Sequence, residues 1–425
     1  MKELALFGGN PVLTKTFPHW PVFDEAEEKA LLEVVRSGQW WRYSMGEAID
    51  AAITPGDVRS KVGEFQDLFA KAQGARYGIA CASGTAAIEV VLKAMGIGPG
   101  DEVIVPPYTF IATATAPMLV GARPVFCDID PATLNLDPSR LEEAITPRTK
   151  AVMPVHFAGL AADMERILGI CKRRGVPVVE DACHGHGGAW NGRGLGTIGR
   201  AGAFSFQASK NMTAGEGGLI TTDDAALAEL CESYIWVGRK AGRPWYEHHY
   251  LGWNYRMTEF QGAILVEQLR RLGDQTERRE QNAAYLNERL KAIPGIRPLQ
   301  APPYASRNAC HIYVFRFDEA EFGINRTDFL QALSAEGIPA TAGYAFPLYR
   351  NPMFQDPSLG FDYSRFGALC PNSERACKEM VWLEHRLLLG ERADLDDIVG
   401  AIRKVRGRLH EFSSSGKVER TLARA

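Results

Sequence analysis

Short runs of apolar residues alternate with helical patterns from Tyr77 to Thr222. Residues 84–95 place apolar side chains three and four apart, which is typical of one buried helix face. The strand-like runs are apolar throughout, as in parallel sheets covered on both faces. They cover 77–82, 102–107, 122–130, 149–157, 176–181, 201–206 and 217–222. The pattern predicts an α/β domain with a mostly parallel seven-stranded sheet between helices.

The pattern changes after this region. Residues 255–290 are strongly helical, 311–317 form a strand-like run, and 325–336 and 394–409 are helical again. We therefore expect a smaller C-terminal α/β domain. The predicted organisation is an N-terminal segment with a substrate-side loop (1–60), a large domain (61–290), a small domain (291–412) and a disordered tail (413–425).

Composition excludes several classes of protein. The chain has 425 residues, 46% hydrophobic content, a formal net charge of -3 and no long basic run, which argues against a nucleic-acid surface. No apolar run approaches the roughly 18 residues that a membrane helix needs, and Gly and Pro interrupt the first 15 residues, unlike a signal peptide. The eight cysteines lie far apart. We therefore predict a cytoplasmic protein without disulfides, structural zinc or a membrane partner.

The segment SGTAA (83–87) follows one predicted strand and opens a helix. Free backbone N–H groups and the positive end of the helix dipole suit a phosphate there. Gly84 permits close approach, and the hydroxyls of Ser83 and Thr85 can donate hydrogen bonds. An ordinary helix N-cap with a tight turn is the alternative.

Asp181 comes directly after the buried run VPVVE. A carboxylate at that position needs a cationic or donor partner, and a protonated pyridine nitrogen is one that suits it. A helix N-cap is the alternative. His184 and His186 have a spacing that metal ligands also use, but no third ligand is evident nearby, so we predict no metal.

Lys210 lies a few residues past another predicted strand, before a Gly-rich return. A lysine at such a position is more often a solvated loop residue. Here SGTAA, Asp181 and Lys210 occur in order at strand ends of one predicted sheet, where open α/β sheets bind ligands. They supply a phosphate cradle, a pyridine partner and an amine, the three means by which proteins hold pyridoxal phosphate (PLP).

The motifs together resemble the DegT/DnrJ/EryC1/StrS aminotransferases, a branch of the PLP-dependent transferases of fold type I. The resemblance runs from about Pro18 to Leu409. It is carried by ASGTAA (82–87), VPPYTFIAT (105–113), MPVHFAG (153–159), VVEDACHGHG (178–187), FSFQASKNMTAGEGG (204–218) and GWNYRMTEFQGA (252–263). The resemblance implies a PLP-dependent aminotransferase.

The resemblance also implies a role for each matching position. Lys210 would bind PLP covalently and Asp181 would contact the pyridine nitrogen, with His184 near the ring hydroxyl. Gly84, Thr85 and Ser205 would bind the phosphate, and Tyr108 would stack on the ring. Asn254 would reach the phosphate of the partner subunit. The last of these implies a homodimer with shared active sites.

Two features depart from the family pattern. The family has SFH before its lysine, whereas this chain has SFQ and places Gln207 in the cofactor site. The stretch 44–65 is longer than in many members, near residues expected to contact substrate. Trp40, Trp41, Tyr344 and Tyr349 are candidate substrate residues, with core packing as the alternative for each.

Within the family, GQWWR (38–42), SFQ, TAGEGG and PLYRNPMF (347–354) are most similar to glutamine-dependent aminotransferases of keto-inositols and to 3-amino-5-hydroxybenzoate synthases. The expected partners are glutamine or glutamate as amino donor and a keto-cyclitol or keto-sugar as acceptor. A nucleotide-linked keto-sugar is an alternative acceptor. Two different functions also stay open: a sugar dehydratase, which has histidine in place of the lysine, and a non-catalytic PLP-binding regulator.

Overall fold

The computed structural model describes residues 3–41 and 60–414. The stretch 42–59, with most of the predicted substrate-side loop, and the predicted tail from 415 onward lie outside the described residues. In the described ranges the strands are β1 (Tyr77–Cys81), β2 (Glu102–Val105), β3 (Arg123–Phe126), β4 (Thr149–Val152), β5 (Val179–Asp181), β6 (Ala189–Trp190), β7 (Arg193–Gly194), β8 (Ala201–Ser205), β9 (Gly218–Thr222), β10 (Ile296–Pro298), β11 (Ile312–Phe317), β12 (Ala340–Thr341) and β13 (Met380–Glu384).

Helices pack on both faces of the large sheet and also against the smaller sheet. Those found within the described ranges are α1 (Glu25–Ser37), α2 (Lys61–Gln73), α3 (Gly84–Ala94), α4 (Ala112–Leu119), α5 (Pro138–Ala144), α6 (Met164–Arg174), α7 (Ala225–Ile235), α8 (Glu259–Leu290), α9 (Glu319–Phe322), α10 (Arg326–Ala335), α11 (Phe366–Leu369), α12 (Pro371–Glu379), α13 (Arg392–Arg406) and α14 (His410–Ser414). None of the helices in these ranges has both the length and the hydropathy needed to cross a membrane.

The large sheet has the order β1-β9-β8-β5-β4-β2-β3. It consists of a four-stranded and a three-stranded part, which two parallel bridges join, Val152 to Val178 and Val155 to Asp181. Strand β9 runs antiparallel to both of its neighbours, and the other pairings are parallel. The predicted fold class, an α/β protein with a mostly parallel seven-stranded sheet, is confirmed.

This topology brings three chain segments to one edge of the sheet. Strand β1 leads into the N-terminus of α3, β5 ends at Asp181, and β8 ends at Ser205. Strands β5 and β8 are parallel and in register at Asp181 and Ala203, so their carboxyl ends lie side by side. The polar residues that follow these strands therefore surround one site.

A second core surrounds the antiparallel sheet β10-β11-β13-β12. The N-terminal segment contributes Leu4, Leu13 and Phe17 to it, and the end of α8 contributes Leu286 and Leu290. The start of α8 packs in the large domain instead, so this helix links the two cores. Residues 348–370 return to the large domain and pack around Phe126.

Candidate active site

Two cavities meet at Lys210. The inner cavity, of about 450 Å³, lies at the sheet edge, and the outer cavity, of about 970 Å³, opens between the two domains. Residues shared by both are Phe110, His184, Gln207, Ser209 and Lys210. The inner cavity is also lined by Ser83, Gly84, Thr85, Ile88, Thr109, Ala112, Val155, Asp181, Cys183, Ser205 and Glu216. The outer cavity adds His19, Trp20, His311, Tyr344, Trp382, Glu384, His385 and Arg386, among others.

The N-terminus of α3 forms one end of the inner cavity. The hydroxyl of Ser83 accepts a hydrogen bond from the amide of Ala86 (3.1 Å), which caps the helix. A Cβ at Gly84 would lie 2.7 Å from Cβ of Ser205 and 2.9 Å from Sγ of Cys183, so only glycine fits this junction. Thr85 and Ser205 line the same end. Free amides and hydroxyls converge here as an anion requires.

Asp181 lies in the wall of the inner cavity and is buried. The hydroxyl of Thr113 donates to Oδ2 of Asp181 (2.7 Å), and the amide of Cys183 donates to Oδ1 (3.2 Å). Within the described ranges no basic side chain forms an ion pair with this carboxylate. The carboxylate is thus oriented by two neutral donors, which leaves it available to a protonated nitrogen of a bound group.

His184 is held in its neutral form with one donor free. Its Nδ1 accepts a hydrogen bond from the amide of Ala158 (3.3 Å), so the proton is on Nε2. Burial, with Lys210 nearby, lowers the pKa of His184 well below its usual value. His186 lies elsewhere, among Phe69, Phe204 and Phe206. In the described part of the chain, no group of three or more His, Cys, Asp or Glu side chains could hold a metal ion.

Lys210 ends a tight turn after β8. Its amide donates to the carbonyl of Gln207 (2.9 Å), and Oε1 of Gln207 accepts from the amide and hydroxyl of Ser209 (2.9 and 2.7 Å). Burial lowers the pKa of the Lys210 amine from its usual 10.5, and the nearby Cys183 and Asp181 partly oppose this. A lowered pKa favours the neutral, nucleophilic amine.

Tyr108 does not line either cavity, contrary to its predicted stacking position. Its ring is buried against Phe157, Tyr344 and Trp382, because the chain turns at the end of β2 and directs Tyr108 into the core between the domains. Phe110, two residues further on, is 57% exposed and lines both cavities. Of these two aromatic residues, Phe110 is therefore the one that the structure places at the cavities.

The other substrate candidates are placed differently. Tyr344 lines the outer cavity. Tyr349 does not, because its ring is buried against Phe126 and its hydroxyl donates to Glu374 (2.8 Å). Trp40 packs beside Phe260 and Trp41 bridges to Thr258, and neither is among the residues that line the inner or the outer cavity.

Asn254 also lies outside both cavities of its own chain. It is exposed and pairs with Trp236 through a β-bridge. This placement is compatible with the role that the resemblance implies for it, at the partner subunit's phosphate.

Several residues of the site are not among those predicted from the sequence. Thr113 orients Asp181 and could have been found, because it follows Thr109 by one helical turn inside VPPYTFIAT. Trp20, His311 and His385 come from distant segments and give no local signal. His311 stacks on His184 with ring centroids 4.2 Å apart, and its Nδ1 lies 3.1 Å from Oδ1 of Asn211.

The residues present fit PLP. The crowded Gly84 junction leaves a backbone cradle for a phosphate, the carboxylate of Asp181 has no basic partner within the described residues, and Lys210 presents a buried amine between the two. These are the contacts that a phosphorylated pyridine aldehyde requires. Fold and site together define the class of PLP-dependent enzymes.

The chain belongs to the DegT/DnrJ/EryC1/StrS aminotransferase family, whose model matches residues 24–403. It is 37% identical to an L-glutamine:2-deoxy-scyllo-inosose aminotransferase from Streptoalloteichus tenebrarius, over 95% of this chain and 97% of the relative. A crystal structure of 3-amino-5-hydroxybenzoic acid synthase superposes with a TM-score of 0.84 at 36% identity, covering 92% of this chain and 99% of that one.

The cofactor of this family is PLP. NtdA from Bacillus subtilis, solved with bound PMP, the aminated form of the cofactor, matches with a TM-score of 0.76 at 26% identity, covering 90% of this chain and 82% of that one. The protein is therefore a PLP-dependent aminotransferase.

Proposed function

We propose that Lys210 is the cofactor lysine of an aminotransferase that moves an amino group from glutamine or glutamate to a keto-cyclitol or keto-sugar. The observation that carries this proposal is the position of Lys210, where the inner and outer cavities meet. An amine at this point reaches the cofactor on one side and a substrate on the other.

The cofactor supplies an aldehyde that carries the amino group and a ring that withdraws electrons. Lys210 would hold it covalently through Nζ, and the Nζ amine, once free, would take the proton from the donor's α-carbon and deliver it to the cofactor. Asp181 holds a proton on the ring nitrogen through its oriented carboxylate. The cradle of Ser83, Gly84, Thr85 and Ser205 binds the phosphate.

The charge of the outer cavity favours an acceptor without phosphate groups. Among the described residues that line it, Arg386 and Lys210 are the only lysine or arginine side chains, and Lys210 is assigned to the cofactor. Nε of Arg386 is 2.5 Å from a carboxylate oxygen of Glu384, and Nη1 donates to the carbonyl of Pro18 (3.4 Å). A nucleotide diphosphate would need free cations. A keto-cyclitol needs hydroxyl partners, which His, Ser and Thr side chains supply.

The donor and the acceptor can be tested in separate half-reactions. The enzyme is loaded with amino groups from glutamine or glutamate and then offered 2-deoxy-scyllo-inosose, other keto-cyclitols or nucleotide-linked keto-sugars. We expect donor-dependent loss of cofactor absorption and its recovery with the keto-cyclitol. Recovery only with a nucleotide-linked keto-sugar would contradict the proposed acceptor. Lys210→Ala should lose both halves, and retained turnover would contradict the role of Lys210.

We also propose a homodimer in which Asn254 completes the partner's phosphate site. Support comes from the exposed position of Asn254, outside both cavities of its own chain. Mixing inactive Lys210→Ala with Asn254→Ala should restore activity, because each mixed dimer contains one site with both residues intact. No recovery on mixing would contradict sharing. A cytoplasmic location remains a prediction, supported by eight unpaired cysteines.

A further inference from the structure

The turn that carries Lys210 is held by two groups from distant parts of the chain. The indole N–H of Trp20 donates to the carbonyl of Ala208 (2.8 Å). Nε2 of His385 lies 3.1 Å from the carbonyl of Ser209. The carbonyl of Gln207 accepts from the amide of Lys210 itself. Three consecutive carbonyls before Lys210 are thus engaged, two of them by side chains from other segments.

The direction of the His385 hydrogen bond is fixed. Because a carbonyl only accepts, Nε2 of His385 must carry the proton. The ring is buried, and burial with Arg279 nearby lowers its pKa well below the usual value, so it stays neutral with its proton on Nε2. The edge of the Trp20 indole contacts this ring, with centroids 4.4 Å apart and planes at 88°.

The buried guanidinium of Arg279 also contacts Trp20. Arg279 in α8 is fully buried, and its guanidinium lies over the Trp20 ring at 5.4 Å from the centroid. Within the described residues, its Nε and Nη1 have no hydrogen-bond partner. Its Nη2 donates to Oε1 of Gln275 (3.2 Å), and contact with the indole face adds a second stabilising interaction, which holds Trp20 against the lysine turn.

We propose that Trp20 and His385 are positioning residues for Lys210. Their ring N–H groups fix the 207–210 turn, so that the amine of Lys210 stays between the inner and outer cavities. Trp20 comes from the N-terminal segment and His385 from the end of β13 in the small domain. The arrangement therefore makes the position of the lysine depend on docking of both segments. The inference rests on the proposed role of Lys210.

The test compares variants that lose the donor with variants that keep it. Trp20→Phe and His385→Leu remove an N–H, whereas His385→Gln retains an amide donor near the position of Nε2. Trp190→Phe is the matched control, because the indole N–H of Trp190 has no hydrogen-bond partner among the described residues. Each full-length holoenzyme is measured for kcat, for KM and for hydrogen exchange of the peptide that covers 206–212.

We expect Trp20→Phe and His385→Leu each to lower kcat about fivefold, the effect of one lost hydrogen bond. KM should stay within about twofold, and exchange of the 206–212 peptide should be about fivefold faster. His385→Gln should recover most of both effects, and Trp190→Phe should resemble the wild type.

Two results would overturn this inference. One is wild-type exchange and kcat in both donor-removing variants. The other is equal loss in His385→Leu and His385→Gln, which would mean that ring packing matters and the N–H does not. Either result leaves the proposed function intact if Lys210→Ala is inactive, whereas an active Lys210→Ala would remove the proposed function itself.

Discussion

The inner and outer cavities share Lys210 but are built in different ways. The lining of the inner cavity comes from a single stretch of chain, 83–216, at the carboxyl ends of adjacent strands. The lining of the outer cavity combines Phe110, His184 and the lysine turn with residues of the N-terminal segment and the small domain.

Apart from Lys210, whose turn is also bonded by Trp20 and His385, the residues proposed to hold the cofactor thus lie at one edge of the sheet, whereas the substrate site is formed by surfaces that must dock together. Changes at Asp181 or at the Gly84 junction should therefore be separable from changes in the outer cavity.

The largest expected effect is that of Asp181→Asn in the inner cavity. An amide cannot stabilise a protonated ring nitrogen as a carboxylate does, so we expect kcat to fall about 10³-fold. The oxygen of the substituted side chain can still accept from the amide of Cys183, and its NH₂ group can donate to the hydroxyl of Thr113, which can donate to Thr109 instead, so the melting temperature should change little. Steady-state kinetics and calorimetry check both parts. A kcat within tenfold of the wild type would contradict the role of Asp181.

Glu180→Gln changes the neighbouring carboxylate and should affect stability instead. Glu180 is fully buried and accepts hydrogen bonds from the amides of Gly196, Ile198 and Gly199 and from Nε2 of His156. An amide NH₂ would face donors there, which costs about 3 kcal/mol of unfolding free energy. Urea denaturation measures this cost. Unchanged stability would show that the buried network does not depend on the charge.

Gly84→Ala tests the phosphate end of the inner cavity. The added Cβ would crowd Ser205 and Cys183. Overpacking of this kind costs about 1–3 kcal/mol, so we expect about tenfold weaker PLP binding. Fluorescence titration of cofactor measures it. Gly98→Ala is the control, because its nearest neighbour would be an oxygen at 3.6 Å. Equal affinities for both variants would contradict the cradle assignment.

The smallest effect should come from Tyr349→Phe. This variant is compared with Tyr344→Phe, because Tyr349 is buried in the core and Tyr344 lines the outer cavity. Loss of the hydrogen bond to Glu374 should cost about 1 kcal/mol of stability and leave the acceptor KM within about twofold. Tyr344→Phe should instead change the acceptor KM and leave stability within about 0.5 kcal/mol. A raised acceptor KM in Tyr349→Phe would indicate that Tyr349 contributes to the substrate site and would contradict its assignment to the core.

Apolar runs in the sequence indicate where strands end. Asp181 ends β5 and SGT lies just after β1, so the sequence places both at the edge of the sheet where the structure has them. The family resemblance places Tyr108 on the cofactor ring, although Phe110 lines the cavities, because a pattern of aromatics does not fix how a turn directs each side chain. Trp20 and His385 are separated from the carbonyls they contact by 188 and 176 positions. Only tertiary packing brings such groups together.

The central claim is that Lys210 binds the cofactor, and reductive trapping tests it most directly. Apoprotein is mixed briefly with PLP at a series of pH values, reduced with borohydride, digested and mapped by mass spectrometry. We predict one adduct per chain, on Lys210. The midpoint for capture should lie below 10.5, because burial lowers the pKa of this amine and leaves it neutral at lower pH than a free lysine. An adduct on another lysine, or none, would contradict the account.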